Sequence, residues 1–307
     1  MKKGIILLFL CLLNLNATEF EYGNGNFNID FGLLGLNKNH TEKIQIFSIL
    51  QRHKNIFSSN WFYSYRISWF KSKTIKTLVN YYNSNANSVN NINKLLSDYS
   101  NNSTTDSNNT SNNSTASDVN SSQIPTLINL SNKIRGLDIN FVFGRDLLNS
   151  SLQDTYLGIG VLAGLTIPYI KSSSSDSNYL KESKTKIITY KIGGIIKGGY
   201  LLNPILQVYG DMAYSYQTGR IKNDELGINS KSSGDNFIFD VGAKLQLKTT
   251  KQIGFIKLTP ALFLTFGYRY DYWKVNSIKI NSQNLMSKNT NLNFTISQVY
   301  FGLGYDF

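Results

Sequence analysis

IGFIKLTPALFLTFGYRYDY, residues 253–272, is the stretch that decides the fold. Apolar and aromatic side chains occupy alternate positions along most of it, and Thr265, Gly267 and Arg269 lie between them. Successive side chains of a β-strand point to opposite faces, so this stretch has one apolar face and one polar face. A strand that separates lipid from a polar lumen needs both faces. Pro260 interrupts the alternation and predicts a bulge or edge irregularity there.

The alternation recurs in eight further segments: 27–33, 61–69, 137–144, 157–167, 188–200, 206–217, 236–248 and 291–307. In the last of these the apolar face changes side, which predicts a bulge near Ser297. Single-chain bacterial barrels have an even number of strands, so residues 42–50 (EKIQIFSIL) supply a tenth, with a short helix as the rival interpretation. The predicted fold is an all-β, transmembrane, up-and-down antiparallel barrel of ten strands, with eight as the alternative.

The connections favour ten strands over eight. Inward turns are predicted at 51–60, 146–154, 202–203 and 249–252, and outward loops at 35–41, 71–132, 171–184, 218–235 and 274–290. Four of these five outward loops are long and polar, and short periplasmic turns with longer outer loops are typical of such barrels. The loop at 71–132 contains a low-complexity tract of Asn and Ser that cannot bury enough apolar area to order itself.

The N-terminus has the pattern of a signal peptide. Lys2 and Lys3 precede a short apolar run at 5–13, and Ala17 is a suitable residue for cleavage. The barrel would then comprise 18–307. Cys11 is the only cysteine and lies inside this segment, so a chain cleaved there has no disulfide. No run approaches the roughly 18 apolar residues of a transmembrane helix.

The final run VYFGLGYDF, residues 299–307, resembles the terminal signature of bacterial outer-membrane proteins. In that class the last strand alternates aromatic residues and ends in Phe. The resemblance implies that Phe301, Tyr305 and Phe307 form the signal read by the barrel assembly machinery, and that the protein resides in the outer membrane. The signal ending in Leu-Asn-Ala and the Asn- and Lys-rich composition also resemble outer-membrane proteins of Campylobacter and Helicobacter relatives.

Two acceptor sequences in the long loop, DSNNT around Asn108 and DVNSS around Asn120, resemble the extended acidic sequon of bacterial N-glycosylation. Both asparagines are therefore candidate glycosylation sites. Chance is the alternative explanation, because tracts of Asn, Ser and Thr generate such matches freely.

The alternation also predicts which charged side chains line the lumen: Arg66, Lys191, Lys197, Asp211, Asp240, Lys244, Lys257 and Arg269, together with Asp30 and Asp138. About eight strands give an interior that side chains just fill, whereas open aqueous channels need about sixteen. A paired network that plugs the barrel is therefore favoured, because buried charges must be paired. A narrow, mildly anion-preferring pore lined by the four lysines is the alternative.

The residues give little support for an enzyme. His40 and His53 are the only histidines, each predicted in a connection, and the Asp-x-His pair of the omptin proteases is absent. A hydrolase needs a general base that activates a hydroxyl or a water. Ligand spacings for a metal do not recur, so no catalytic, metal or cofactor residues are predicted.

The net charge of +12 favours binding to negatively charged partners. Lysines and arginines in or beside the outer loops can pair with lipopolysaccharide phosphates: Lys171, Lys181, Lys184, Lys186, Arg220 and Lys222. A signal peptide argues against nucleic acid as the partner. The predicted role is a non-enzymatic surface barrel, adhesin-like or structural, whose outer loops meet a host or surface ligand. A small-solute pore is the second hypothesis, and a barrel enzyme acting on lipid or peptide is a third.

Overall fold

A computed structural model describes most of the chain: residues 18–33, 36–56, 60–73, 75–81, 126–148, 155–174, 183–223, 228–247, 249–253, 256–280, 283–284 and 291–306. The predicted signal peptide at 1–17, the candidate glycosylation sites Asn108 and Asn120, and Phe307 lie outside these residues.

Ten long strands form the barrel. They are β1 (Thr18–Leu33), β2 (Leu36–Ile56), β3 (Trp61–Ser72), β4 (Thr126–Asp146), β5 (Tyr156–Ser174), β6 (Ser183–Leu201), β7 (Leu206–Asn223), β8 (Ile228–Gln246), β9 (Leu262–Ile280) and β10 (Asn291–Tyr305). Each pairs with its neighbours in sequence, and β1 pairs antiparallel with β10, from Thr18 opposite Tyr305 to Gly32 opposite Asn291. The sheet is therefore closed, and the predicted ten-strand antiparallel barrel is confirmed.

The strands continue well beyond the length that a bilayer requires. They contain 12 to 21 residues, whereas a tilted strand crosses the hydrocarbon with about 9–11. Along β7, buried and exposed side chains alternate almost without interruption. The exposed positions carry large apolar side chains, among them Val161, Ile192, Met212, Phe266 and Phe301. A closed antiparallel barrel with an outward apolar band has the architecture of a bacterial outer-membrane barrel.

Short strand pairs lie outside the ten long pairings. In a separate compact unit that comprises 74–132 and 171–183, Ile75–Tyr81 pairs with residues 126–132 of β4. Lys251–Ile253 and Ile256–Leu258 form a two-stranded hairpin between β8 and β9, and Gln283–Asn284 folds back onto the end of β9. Among the described residues, no helix is long and apolar enough to cross a membrane.

Residues 42–50, predicted as the tenth strand with a short helix as the alternative, form part of a strand. β2 extends from Leu36 to Ile56 and pairs with β1 and β3, which rules out the short helix at 42–50. His40 and His53 therefore belong to a strand, and their predicted placement in connections is wrong. The outer ends of β7 and β8 likewise continue through most of the predicted loop at 218–235. Beyond the bilayer neither face must be apolar, so strand pairing continues where the alternation of hydropathy ends.

The predicted bulge near Ser297 is wrong, because β10 keeps an unbroken register with both β1 and β9. Phe294 and Ile296 instead face the interior and are buried. Phe27 and Trp273 are buried inside as well. The cause is a change in the inward face, which carries ion pairs in the periplasmic half of the barrel and includes an apolar cluster in the outer half.

The structure also differs from the prediction for residues 253–272, which do not form a single long strand. Pro260 lies in a turn before β9, not in a bulge within a single long strand. Lys257 consequently lies in the short hairpin between β8 and β9, outside the ten barrel strands, so its assignment to the lumen wall does not fit the backbone. Proline interrupts the ladder because it has no N–H to donate.

Candidate functional site

The barrel interior contains the chemically richest group of side chains. Arg66 on β3 donates two parallel hydrogen bonds to Glu21 on β1, with N–O distances of 2.8 and 3.0 Å. The same guanidinium donates to Asp240 on β8 at 2.9 Å. All three side chains are at most 6 % exposed. Bidentate arginine–carboxylate pairs are among the stronger hydrogen-bonded pairs. Arg66 therefore connects its own strand, β3, to β1 and β8, which are not its neighbours in the sheet.

Asp240 is shared by several donors. It accepts a hydrogen bond from Arg269 on β9 at 3.2 Å and another from the Tyr300 hydroxyl at 2.7 Å. Because Tyr300 uses its proton on Asp240, the Tyr209 hydroxyl at 2.8 Å donates to Tyr300. Both tyrosine rings lie inside the barrel and are almost fully buried.

Two inward glycines create the space for these rings. A Cβ atom at Gly242 would lie 2.7 Å from the Tyr209 hydroxyl oxygen, and one at Gly267 would lie 2.5 Å from that of Tyr300. Any larger side chain at either position would displace a tyrosine. The glycines of β8 and β9 therefore permit a layer of aromatic rings across the lumen.

A second cluster lies around Lys191 on β6. Its amine is 2.9 Å from Asp138 and 3.9 Å from Asp271. The Thr166 hydroxyl also donates to Asp138 at 2.6 Å, and the Asn236 amide donates to Asp271 at 2.6 Å.

Arg269 links the two clusters, since its other amine is 3.9 Å from Asp271. The result is a chain of alternating charge across the lumen. In order it contains Glu21, Arg66, Asp240, Arg269, Asp271, Lys191 and Asp138.

Further pairs complete the periplasmic half. Lys197 is 2.6 Å from Asp211, and Arg52 is 3.7 Å from Glu19, which also accepts a hydrogen bond from Thr265. These ion pairs of the periplasmic half thus join six carboxylates and five cationic groups: Glu19, Glu21, Asp138, Asp211, Asp240 and Asp271 with Arg52, Arg66, Lys191, Lys197 and Arg269. This near balance is what burial of charge requires.

The outer half of the interior contains an apolar cluster. Its central residue is Phe27, which is 0 % exposed and lies within 6.5 Å, between ring centroids, of Phe70, Trp273 and Phe294. Isoleucine and valine side chains surround these rings: Ile44, Ile46, Ile134, Ile187, Val275 and Ile296. Both halves of the described interior are therefore occupied by side chains.

Most of the residues predicted to line the lumen lie in this network. Arg66, Lys191, Lys197, Asp240 and Arg269 are buried, and Asp211 is half-buried beside Lys197. Lys244 lies at the periplasmic rim, 3.0 Å from Asp306 and over the ring of Phe263. Sequence reasoning missed Glu19, Glu21, Arg52 and Asp271, although Glu19 and Glu21 alternate with the outward Phe20 and Tyr22 in a way that could have revealed them.

Little in this arrangement points to catalysis. His53 is buried at the periplasmic end of β2 and stacks on Tyr63, with ring centroids 4.2 Å apart. Among the described residues, no group of three or more His, Cys, Asp or Glu side chains is arranged to hold a metal ion. The outward side chains of Phe301 and Tyr305 lie on the exposed face of β10.

Solved structures similar to this chain are outer-membrane barrels of different roles. The outer-membrane protease OmpT from Escherichia coli has 10% sequence identity and a TM-score of 0.49, over 96% of this chain and 97% of that one. The attachment invasion locus protein Ail of Yersinia pestis has 8% identity and a TM-score of 0.27, over 95% and 99%. OprG from Pseudomonas aeruginosa has 10% identity and a TM-score of 0.31, over 95% and 98%. No protein-family model and no curated protein matches the chain.

The ion-pair chain gives a direct prediction for stability. Arg66→Met leaves Glu21 and Asp240 buried without their principal cation, and we expect a loss of about 3–5 kcal/mol in the free energy of unfolding. Urea unfolding in phospholipid vesicles, followed by tryptophan fluorescence, measures it. Lys244→Met is the matched control: the side chain of its partner Asp306 is 34% exposed, so the loss should stay within about 1 kcal/mol. Equal losses for the two variants would contradict a structural role of the network.

Proposed function

We propose that this protein is a non-enzymatic outer-membrane surface barrel, whose interior is a structural plug and whose outer side contacts external partners. The observation that carries the proposal is the paired and nearly neutral interior. Lysines that would give a pore its anion preference are held by carboxylates: Lys191 by Asp138 and Lys197 by Asp211. The pair between Arg66 on β3 and Asp240 on β8 crosses the lumen, which supports a filled lumen and not a conduit.

The role as a plug predicts an electrically silent protein. In planar bilayers the wild-type barrel should give no discrete conductance steps. Arg66→Ala combined with Tyr209→Ala and Tyr300→Ala removes the layer that crosses the lumen, so this variant should give brief openings. Steady, anion-selective steps from the wild type would overturn the proposal and favour the pore.

A non-enzymatic role is supported by how the interior groups are used. The buried carboxylates and cations described above bind each other, so they are committed to structure and are not held ready for substrate. A catalytic base must be within hydrogen-bond reach of the group that it activates. We therefore place the function on the outer surface.

In sequence, the longest stretch between two described strands is residues 82–125. Residues 82–125 are dominated by Asn, Ser and Thr, and they join two paired strand ends, Tyr81 and Thr126. A tract of this composition can adapt to a partner and fold on binding. It is the segment that we propose contacts a host or surface ligand.

Because Tyr81 and Thr126 are directly opposite each other, the segment can be excised cleanly. Replacing residues 82–125 by Asn-Gly, a pair suited to a two-residue hairpin turn, should leave the barrel folded. Binding of bacteria that display the protein to cultured epithelial cells should then fall to the level of bacteria that lack it. A control variant keeps residues 82–125 in a scrambled order. It distinguishes an effect of the loop's composition from an effect of its specific sequence. Undiminished binding by the excised variant would refute the role of this loop.

A ring of exposed basic side chains points to lipopolysaccharide as a second partner. These residues, named here the basic collar, lie on the outward face towards the outer ends of seven strands: Lys43, Lys71, Arg135, Lys186, Arg220, Lys222, Lys231 and Lys274. They follow the exposed aromatic residues that mark the membrane interface; Lys71 is two residues beyond Trp69, and Arg220 is four beyond Tyr216.

Cross-strand pairing in the basic collar brings like charges together. Lys71 is opposite Arg135, and Arg220 is opposite Lys231. Directly opposed like charges destabilise a sheet on their own. Phosphate groups between them would reverse this effect, and the phosphates of lipid A lie at this level of the outer leaflet.

Neutralising the collar should therefore weaken the association. The quadruple variant Lys71→Gln, Arg135→Gln, Arg220→Gln and Lys231→Gln removes four cations, each contributing about 1 kcal/mol. We expect the affinity for lipopolysaccharide vesicles to fall by about tenfold or more, and high salt to reduce wild-type binding in the same way. Arg145→Gln, at an exposed arginine on the periplasmic end, is the control and should change nothing. Equal binding by the quadruple variant and the wild type would exclude the collar as the contact.

A further inference from the structure

The outward apolar band differs in length from one side of the barrel to the other. On β5 every outward position from Leu157 to Tyr169 carries an apolar or aromatic side chain. On β6 the same holds from Ile188 to Tyr200, with glycine at two positions. Both runs are longer than the roughly 9–11 residues with which a tilted strand crosses the hydrocarbon. This side of the barrel therefore fits a bilayer of full thickness.

The band is much shorter on β1 and β2, whose outward side we name the narrow face. On β1 the exposed large apolar side chains are Phe20 and Tyr22. The next two outward positions carry exposed asparagines, Asn24 and Asn26. In a ten-strand barrel β1 lies opposite β6, so the short and the long band occupy opposite walls.

On β2 the apolar run is short at both of its ends. It consists of Phe47 and Ile49, and it is followed towards the outside by Gln45 and Lys43 and towards the periplasm by Gln51. A tilt of the whole barrel would shift the position of the bilayer along β2, but it would not shorten the apolar run. The narrow face therefore fits a thinner layer of hydrocarbon than β5 and β6 do.

Strand pairing joins the outer polar residues into one continuous surface. Asn24 lies opposite Gln45, and Asn26 lies between Lys43 on β2 and Ser297 on β10. An amide in hydrocarbon loses its hydrogen bonds to water, whereas thinning of a bilayer has only a modest cost for each ångström of mismatch. With several amides side by side, thinning is the less costly arrangement.

We propose that the outer leaflet is thinned along the narrow face, so that lipid phosphate groups and their water descend to Asn24 and Gln45. Amide N–H groups and the Lys43 ammonium are donors that suit a phosphate. A second copy packed face to face on this surface would instead bring two Lys43 ammonium groups together. The proposal rests on the location of the barrel in the outer membrane and is independent of the proposed surface role.

Spin labels at single cysteines test the proposal. Cys11 lies in the predicted signal peptide, so in a chain that begins at residue 18 each introduced cysteine is the only one. Nitroxide labels at Asn24→Cys and Ile192→Cys are compared in phosphatidylcholine vesicles for their collisions with a water-soluble nickel chelate and with oxygen. We expect the Asn24 label to favour the nickel chelate and the Ile192 label to favour oxygen.

Ile192 is a strict control for depth. It is outward and exposed, and it lies nine residues from the periplasmic end of β6. Asn24 lies only six residues from the periplasmic end of β1. In a bilayer of uniform thickness the Asn24 label would therefore not be the more accessible to water. Equal collision ratios at the two sites would overturn the proposal, and so would a label at Asn24 that neither reagent reaches, since another protein would then cover it.

A second variant tests whether the amides cause the thinning. Asn24→Leu combined with Asn26→Leu extends the apolar run of β1, and a label at Gln45→Cys on the neighbouring strand reports the result. We expect this label to lose access to the nickel chelate and to gain access to oxygen, while the Ile192 label in the same background stays unchanged. Undiminished nickel access at Gln45 would mean that the site lies beyond the bilayer for another reason, and it would refute the proposal. None of these outcomes affects the conductance or surface-binding tests.

Discussion

Closure of the sheet between its first and last strands is the constraint on which the rest of the structure depends. β1 and β10 pair over fifteen consecutive positions, from Thr18–Tyr305 to Gly32–Asn291. In a bilayer an open edge would expose N–H and C=O groups with no water to bind them, so the sheet must meet itself. Closure also fixes the outward face as the lipid face. Everything that is not lipid-compatible must therefore lie inside, in the turns, or beyond the bilayer.

A ten-strand cylinder encloses a space too narrow for a wide channel but large enough to need filling. The chain fills it in two chemically different ways. The periplasmic half uses charges in balanced alternation, with Arg66 and Arg269 each bridging two carboxylates. The outer half uses aromatic and branched apolar side chains around Phe27. Ion pairs resist slippage of strands because their geometry is directional, whereas apolar packing tolerates small differences in shape.

Period-two hydropathy was sufficient to predict the strands, their number and the closed barrel, because the lipid face imposes that period over the bilayer. It was insufficient wherever the interior is itself apolar. A rule that assigns every apolar residue to the lipid face cannot distinguish the inward Phe294 from the outward Phe301. Applied to β10, it required a bulge between them, and the structure has none. The rule also failed past the bilayer, where β7 and β8 continue through residues read as loop. For the candidate site, most of the charged residues were found from their position on the inward face. Which of them pair with each other was not predicted, since the strands that face each other across a lumen are set by closure and not by local sequence.

Separation of charge between inside and outside connects these features with function. A strongly basic chain would be expected to line an anion pathway, yet the ion-pair network inside the barrel contains five cations and six carboxylates. Exposed basic side chains lie instead on the outward face, in the basic collar beyond the exposed aromatic residues.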